Sequence, residues 1–306
     1  MVKMNPPRSP DLPAIQRAAG NALQSRAVAV EKLSGYLYRT YRLITSKGFF
    51  YVLRARPPHS VRLLRHEEGR LEAEACALQV LNSRPEIVSA RLIEYQGTTF
   101  AIGSFYLISG PFSGSILADV ETSLSRHALA SIDKSLGQYV RRLSSIAGSA
   151  FGPFRNAQGC PGSPSWGRSF VAMLETVLRD GEDALINLPY EGMRDLVRRH
   201  RVSLDKVAQP RLVLLELSAD RNIVVDIGSH RVTGVLDFST AFWGDPFMSE
   251  CFYKPTASFA EGFGRLPNGD ADERVRQYLC VVHRTSYQVS DTVLTCYTGT
   301  SYTILC

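Results

Sequence analysis

The stretch from residue 222 to residue 246 constrains the fold more than any other part of the chain. Asn222 opens an apolar run that ends at Asp226, a short turn containing Gly and Ser follows, and a second apolar run ends at Asp237. Apolar runs of this length, separated by turn residues, predict the two strands of a β-hairpin. Because hairpin strands are antiparallel, we expect Asn222 and Asp237 at the same end of it. An amide oxygen and a carboxylate are ligands of the kind that Mg²⁺ takes in proteins.

The first third of the chain is predicted to contain several strands and one helix. Phe49–Ala55 is rich in aromatic and β-branched residues and predicts a strand. Apolar residues recur every three or four positions in Ser60–Asn82, which predicts a helix. Ser109–Gly114 contains Gly and Pro and predicts a linker. Further strands are predicted over Ala27–Val30, Tyr41–Thr45, Val88–Tyr95, Thr98–Gly103 and Phe105–Ser109.

The rest of the chain is predicted to be mainly helical. Helices are expected over Leu124–Ile146, Ser169–Leu178, Glu191–Arg201 and Val275–Cys296, and short strands over Arg211–Leu217, Ile223–Asp226 and Val232–Asp237. This order predicts an α+β protein. We expect a flexible arm (residues 1–23), a small antiparallel β lobe (24–109) and a larger, mainly α-helical lobe (110–306). A cleft between two lobes is a natural ligand site.

Composition excludes several classes of function. No apolar run approaches the roughly 18–20 residues of a membrane span, and the N-terminal segment lacks the apolar stretch of a signal peptide. The formal charge of +6 arises from scattered basic residues without a nucleic-acid motif, so we expect no nucleic-acid partner. None of the six cysteines has the spacing of a zinc or redox site, which favours reduced thiols and a cytoplasmic protein.

Three motifs in the hairpin region carry a family resemblance. They are Asn-Ile-Val-Val-Asp from Asn222, Gly-Val-Leu-Asp-Phe ending at Phe238, and Trp-Gly-Asp-Pro ending at Pro246. Together they resemble the aminoglycoside phosphotransferase and choline kinase-like family, especially its fungal branch, over most of the chain. The resemblance implies a protein-kinase-like, two-lobed fold, with ATP and Mg²⁺ as cofactors and a small molecule as substrate. It also places Mg²⁺ on Asn222 and Asp237.

The resemblance assigns further residues to a nucleotide site. Arg54 takes the place of the phosphate-binding residue of the third strand, which is usually Lys, and a guanidinium can bind phosphate in a bidentate manner. Glu74 is its expected partner on the following helix, with Glu72 as the alternative. Ile108 falls in the segment that meets the adenine.

The nucleotide-loop position is unusual in this sequence. The loop of the family is matched by Leu33 to Thr40, in which Ser34 and Gly35 are the small residues that would let backbone amides approach phosphates. Tyr36 and Tyr38 occupy positions where further small residues are expected. The loop therefore carries a weak signal for phosphate binding.

The catalytic loop departs from the family pattern. The family has His-x-Asp-Leu followed by Asn five residues after the Asp, whereas this chain has Leu214 in place of the His and Glu216 in place of the Asp. Asn222 then lies six residues later. If Asn222 instead sets the register, Leu217 takes the catalytic position and no base is present. Glu216 is the candidate catalytic residue, since a carboxylate can accept a proton from a hydroxyl.

Three functions stay open at this point. The first is an ATP-dependent kinase of a small-molecule hydroxyl. The second is an enzyme of the same fold that cyclises or isomerises an apolar intermediate without ATP, and the third is a non-catalytic binding protein. The kinase predicts turnover that needs ATP, and the cyclising or isomerising enzyme predicts turnover without ATP. The binding protein predicts no turnover.

Overall fold

The computed structural model describes residues 12–24, 27–46, 48–58, 60–85, 87, 89–99, 101–154, 162–217, 220–267 and 269–298. The architecture is α+β, with an antiparallel sheet in the N-terminal part and a mainly helical C-terminal part, as the sequence predicts. The N-terminal elements are α1 (Leu12–Leu23), β1 (Ala27–Leu33), β2 (Arg39–Thr45), β3 (Phe50–Ala55), α2 (Arg70–Asn82), β4 (Arg91–Gln96) and β5 (Tyr106–Phe112).

The N-terminal sheet has the strand order β1-β2-β3-β5-β4, with all neighbours antiparallel. Because successive side chains of a strand point to opposite faces, the central strand β3 contributes to two cores. Leu53 and Ala55 pack with Ile15 of α1 on the outer face, and Val52 packs with Leu78 of α2 on the inner face. The sheet is therefore covered by a helix on each side.

Three sequence predictions about this lobe are wrong. Residues 12–23 form α1 rather than a flexible arm, because Ile15, Ala18 and Ala19 are buried against the sheet; residues 1–11 lie outside the described part. The helix predicted from Ser60 begins only at Arg70, after a series of turns. The described residues of Thr98–Gly103 form turns rather than a strand.

The C-terminal part contains helices and two small sheets, β10-β9-β6 and β7-β11-β8. Its elements are β6 (Ser115–Ile116), α3 (Leu117–Val120), α4 (Arg126–Leu143), β7 (Gly152–Pro153), α5 (Trp166–Asp183), α6 (Tyr190–Arg199), α7 (Arg201–Asp205), β8 (Arg211–Leu214), β9 (Ile223–Asp226), β10 (Arg231–Val235), β11 (Ala241–Gly244), α8 (Ala257–Phe263) and α9 (Ala271–Thr298).

The chain passes between the two parts at Ser113 and Gly114, the last two residues of the predicted linker, whereas Ser109–Phe112 of that segment belong to β5. β5 ends at Phe112, and Ser115 already pairs with Val225 of β9. Gly114 has a φ of +114°, and a Cβ at this position would lie 2.3 Å from the carbonyl oxygen of Val225. Only glycine fits so close an approach of two backbones, and this approach places the β9–β10 hairpin next to the N-terminal sheet.

One hydrophobic core joins both parts. The inner face of the sheet and α2 share a cluster with α4 and with the hairpin strands β9 and β10. A second cluster surrounds the fully buried Trp166 of α5 and includes residues of β8, β11 and α9. Within the described part of the chain, no helix has the length and apolarity needed to cross a bilayer.

Candidate active site

An ion pair between β3 and α2 forms the centre of the site. The side chain of Arg54 is 1% exposed and that of Glu74 is fully buried, and the Arg54 Nε lies 2.8 Å from Glu74 Oε2 and 3.1 Å from Oε1. The expected pairing of these two residues is confirmed. Glu72, the alternative partner, instead accepts a hydrogen bond of 3.1 Å from the hydroxyl of Tyr95.

The hairpin end meets this ion pair. Ile223 pairs with Val235, and the Leu236 amide donates to the Asn222 carbonyl over 2.8 Å, so Asn222 and Asp237 lie at the same end, as predicted. Arg54 Nη1 donates to Asp237 Oδ2 over 2.9 Å, and Arg54 Nη2 donates to the Leu236 carbonyl. Arg54 therefore connects the third strand, α2 and the hairpin.

Burial and charge act in opposite directions on these groups. Burial alone would lower the pKa of Arg54, but the carboxylates of Asp237 and Glu74 outweigh it and hold that pKa above its usual value. Burial raises the pKa of Glu74 to about 7, against the lowering effect of Arg54. Burial also opposes ionisation of Asp237, but Arg54 and hydrogen bonds from Ser239 keep its pKa below its usual value. Asp237 is thus an anion at neutral pH.

Asn222 offers an oxygen that the rest of the described chain does not use. The residue is 5% exposed, and its Oδ1 has no hydrogen-bond partner among the described residues. A buried polar atom without a partner destabilises a fold unless it meets a ligand. This oxygen and the ionised Asp237 form a donor set that fits Mg²⁺, which commonly takes one or two protein oxygens together with waters and substrate phosphates. The described residues contain no cluster of three or more His, Cys, Asp or Glu that could hold a metal by itself.

The loop after β8 has a partly exposed carboxylate at Glu216. Leu214 and Leu217 are buried, whereas the side chain of Glu216 is 38% exposed and its amide donates to Thr240 Oγ1 over 3.2 Å. Leu217, the residue of the alternative register, packs in the core that joins the two lobes. Of Leu214, Glu216 and Leu217, Glu216 is therefore the one that is available to a ligand, while its catalytic role stays a prediction.

Arg70 is a site residue that the sequence analysis missed. It begins α2, and its Nη1 lies 3.8 Å from Glu216 Oε2 while its Nη2 donates to the Tyr287 hydroxyl of α9. It also contributes to lowering the pKa of Asp237, so it lies near both carboxylates. Arg70 and Glu74 are four residues apart and share a helix face, a signal that could have identified Arg70; its contact with Tyr287 has no local sequence signal.

Tyr36 covers the guanidinium of Arg54. Its ring lies 5.4 Å from the Arg54 Cζ and 5.7 Å from the Arg221 Cζ, and its hydroxyl donates to the Arg221 carbonyl over 2.5 Å. Gly35 has a φ of +83° and lies against the Arg221 side chain, and Ser34 is exposed. The loop between β1 and β2 is thus folded onto the hairpin end, with Tyr36 over the residue predicted to bind phosphate.

The side chain of Ile108 lies in the outer core of the N-terminal sheet. It pairs with Leu53 in the ladder and is fully buried in the outer core under α1. Arg54 lies on the opposite face, where its neighbour on β5 is Leu107. Because side chains alternate along a strand, the Ile108 side chain faces away from Arg54, and the assignment of its segment to the adenine stays a prediction.

A cavity of about 670 Å³ lies beside the loop of Glu216. The start of α2, the middle of α5, the segment after Asp237 and α9 form its walls. Arg70, which contacts Glu216, lines the cavity together with Leu215 and Tyr287. We call this side, next to Glu216, the inner end of the cavity. This volume is within the range of roughly 300–1,000 Å³ that is typical of small-molecule sites.

The comparison with families agrees with this geometry. Residues 30–248 match the phosphotransferase enzyme family, APH. The match covers well over half of the chain, so the chain belongs to the phosphotransferase enzyme family. No curated protein sequence is significantly similar to it.

Solved structures of aminoglycoside phosphotransferases share the fold at low sequence identity. A thermostable mutant of APH(4)-Ia in a ternary complex with AMP-PNP and hygromycin B has a TM-score of 0.60 at 16% identity, covering 94% of this chain and 100% of that one. APH(3'')-Id from Streptomyces rimosus, with ADP and streptomycin, has a TM-score of 0.55 at 17% identity, covering 90% and 98%. The streptomycin–ATP complex of APH(2")-IIa has a TM-score of 0.54 at 14% identity, covering 97% and 93%.

Proposed function

We propose that the protein is an ATP- and Mg²⁺-dependent phosphotransferase that acts on a hydroxyl of a small molecule. The observation that carries the proposal is the buried cluster of Arg54, Glu74 and Asp237 next to the unpartnered oxygen of Asn222. Phosphoryl transfer needs a cation for the phosphates, oxygen ligands for the metal and a carboxylate near the attacking hydroxyl. The chain has a candidate for each of these parts, and the family match supports the reaction class.

The cluster would hold the nucleotide. Asp237 and Asn222 would hold Mg²⁺, which neutralises negative charge on the phosphates when it is bound. Arg54 would bind phosphate oxygens through the N–H groups that its partners leave over, since a guanidinium has five. Glu74 would act as a positioning residue that fixes the Arg54 fork. ADP, ATP and an ATP analogue in the similar structures support a nucleotide ligand.

Glu216 would accept the proton from the acceptor hydroxyl. The hydroxyl oxygen bonds to the γ-phosphorus, the bond between that phosphorus and the bridging oxygen breaks, and ADP leaves. Arg70 would hold the Glu216 carboxylate at the inner end of the cavity, where the acceptor would lie. A displacement of about 1 Å costs roughly 100-fold in rate, so we expect slow turnover from this altered loop.

Tyr36 favours a second candidate function. Its ring lies over Arg54, and Arg54 is already bonded to Asp237. If this arrangement persists in solution, phosphate has no access to Arg54. The fold would then serve ATP-independent chemistry, such as cyclisation or isomerisation in the cavity, or ligand binding without catalysis. Turnover of a substrate without ATP identifies the first of these, and no turnover the second.

Release of ADP in the presence of Mg²⁺, with and without a panel of alcohols, tests the proposal. We expect release that an alcohol stimulates and that falls by about 100-fold in Glu216→Ala. Glu216→Gln, which keeps the size and removes the base, should fall equally. Undiminished release in both variants would remove Glu216 from catalysis, and no ADP release from wild-type protein with any alcohol would contradict the phosphotransferase proposal.

A further inference from the structure

The charge lining the cavity identifies the class of acceptor. Glu68 is the single carboxylate among its lining residues in the described chain, and the Glu68 Oε2 is already 2.8 Å from Arg56 Nη2. Two arginines, Arg70 and Arg168, also line it. A polycationic ligand would lose hydration on entry and would find, among the described lining residues, only the carboxylate of Glu68, which is already paired with Arg56. The electrostatic field of this cavity opposes positively charged ligands.

The remaining walls are mostly apolar. Aromatic and aliphatic side chains from several elements form them, including Phe151, Phe154, Met173, Val177 and Phe242. Apolar walls contribute to affinity in proportion to the apolar area that a ligand buries, at about 25 cal/mol per Å². The ligand body should therefore be mainly hydrocarbon rather than densely hydroxylated.

His283 gives the cavity a specific polar contact. It is 2% exposed, it lines the cavity, and its Nδ1 has no hydrogen-bond partner among the described residues. Burial, with a smaller contribution from His66, lowers the pKa of His283 to about 3, so the ring is neutral at pH 7. A neutral imidazole nitrogen recognises an uncharged hydroxyl or carbonyl group.

Arg168 adds a cationic group at the rim of the cavity. The residue is exposed and has no ion-pair partner in the described part of the chain. An anionic group at the outer end of a ligand would approach it while the apolar body fills the interior. Arg70, at the inner end, is already paired with Glu216.

We propose that the cavity binds an acceptor alcohol with a mainly apolar body and no positive charge, and that it does not bind polycationic aminoglycosides. That the bound alcohol accepts a phosphoryl group rests on the proposed function. The chemical class of the ligand follows from the cavity alone. Similar enzymes of known structure form complexes with hygromycin B, streptomycin or gentamicin. The ligand class inferred for this cavity differs from these antibiotics.

Fluorescence titration with anilinonaphthalene sulfonate, an anionic apolar probe, tests the ligand class. We expect saturable binding at one site, displacement by the neutral alcohol naphthyl ethanol, and no saturable binding of gentamicin in parallel calorimetry. Ala172→Trp fills the cavity from α5 and should weaken probe binding by about tenfold or more. Thr176→Trp, one turn further along, repeats the test if the first variant folds poorly.

Val171→Trp is the matched control, since Val171 neighbours Ala172 but does not line the cavity. It should leave probe affinity within about twofold of wild type. Equal probe binding by Ala172→Trp, Thr176→Trp and Val171→Trp would overturn the inference, as would gentamicin binding that the two cavity-filling variants abolish.

Titration of the same samples with Mg-ATP distinguishes failure of the ligand-class proposal from failure of the phosphotransferase proposal. If wild-type protein does not bind Mg-ATP, the phosphotransferase proposal is contradicted, while the conclusion from the probe about the ligand class is unaffected.

Discussion

Arg54 and Glu216 lie in the same candidate site and are held very differently. Arg54 is buried and bonds to Glu74, Asp237 and the Leu236 carbonyl. Glu216 is 38% exposed, and its ion pair with Arg70 is 3.8 Å long. The comparison shows that Arg54, the residue proposed to bind phosphate, is part of the folded core, whereas Glu216, the proposed base, lies in a partly exposed loop. Departures from the family pattern occur in that loop and in the loop between β1 and β2.

The largest expected effect is a difference in the free energy of unfolding between a variant at the buried ion pair and a variant in the loop of Glu216. Glu74→Ala leaves the guanidinium of Arg54 without its fully buried partner, and we expect a loss of about 3–5 kcal/mol in the free energy of unfolding. Glu216→Ala should change it by no more than about 0.5 kcal/mol, because the side chain is partly exposed. Denaturant unfolding measures both. Similar losses for the two variants would contradict the distinction between a rigid nucleotide side and a tolerant loop.

The next effect concerns the unpartnered oxygen of Asn222. Asn222→Leu removes a buried oxygen that has no partner among the described residues, so stability should stay the same or rise. If the oxygen is a metal ligand, the gain in ATP affinity on adding Mg²⁺ should fall by about 100-fold. Asp237→Ala should abolish that gain as well. An unchanged Mg²⁺ dependence in Asn222→Leu would take Asn222 out of the metal site.

Tyr36 should oppose nucleotide binding. The guanidinium groups of Arg54 and Arg221 both lie over its ring, 5.4 and 5.7 Å from the ring centre, and its hydroxyl donates to the Arg221 carbonyl. Contacts of this type are worth about 1–2 kcal/mol and must break before phosphate reaches Arg54. Tyr36→Ala should therefore raise ATP affinity by about tenfold. Tyr36→Phe, which keeps the ring, should raise it less, and a loss of affinity in Tyr36→Ala would mean that the ring contacts the nucleotide.

The smallest expected effect is a pH-dependent change in stability caused by Asp220, which follows the loop of Glu216. Burial and the neighbouring Glu121 raise the pKa of Asp220 to about 6, from an ordinary value of 3.8. The folded protein therefore binds this proton more readily, so the stabilisation is complete below pH 3.8 and is lost as pH rises through 6. We expect Asp220→Asn to increase the free energy of unfolding by about 1 kcal/mol at pH 8 and to leave it unchanged at pH 3.5. An equal gain at both pH values would assign the effect to something other than this proton.

The fold and the pairing of Arg54 with Glu74 could be predicted because local motifs carry them. The hairpin motif brings Asn222 and Asp237 together through strand register alone, and the helix period places Glu74 on the face toward β3. Errors arose where tertiary packing decides. Four prolines near the N-terminus suggested an arm, but α1 is stabilised by the outer face of the sheet.

Other features had no signal that a single sequence could provide. The face of Ile108 depends on the register of β5, which contains irregularities against both neighbours. The contact of Arg70 with Tyr287 joins residues 217 positions apart. The contact of Tyr36 with two arginines depends on how the β1–β2 loop folds over the hairpin. The replacement of small residues by tyrosines already marked that loop as unusual.

Calorimetric titration of the purified protein with ATP, with and without Mg²⁺, tests the central claim most directly. We expect binding in the micromolar range that requires Mg²⁺, because Asn222 and Asp237 would hold the metal only together with ligands that the phosphates supply. No binding up to millimolar ATP in either condition would contradict it. The cluster of Arg54, Glu74 and Asp237 would then be a structural element, and the cavity beside Glu216 would be the part of the molecule that carries its function.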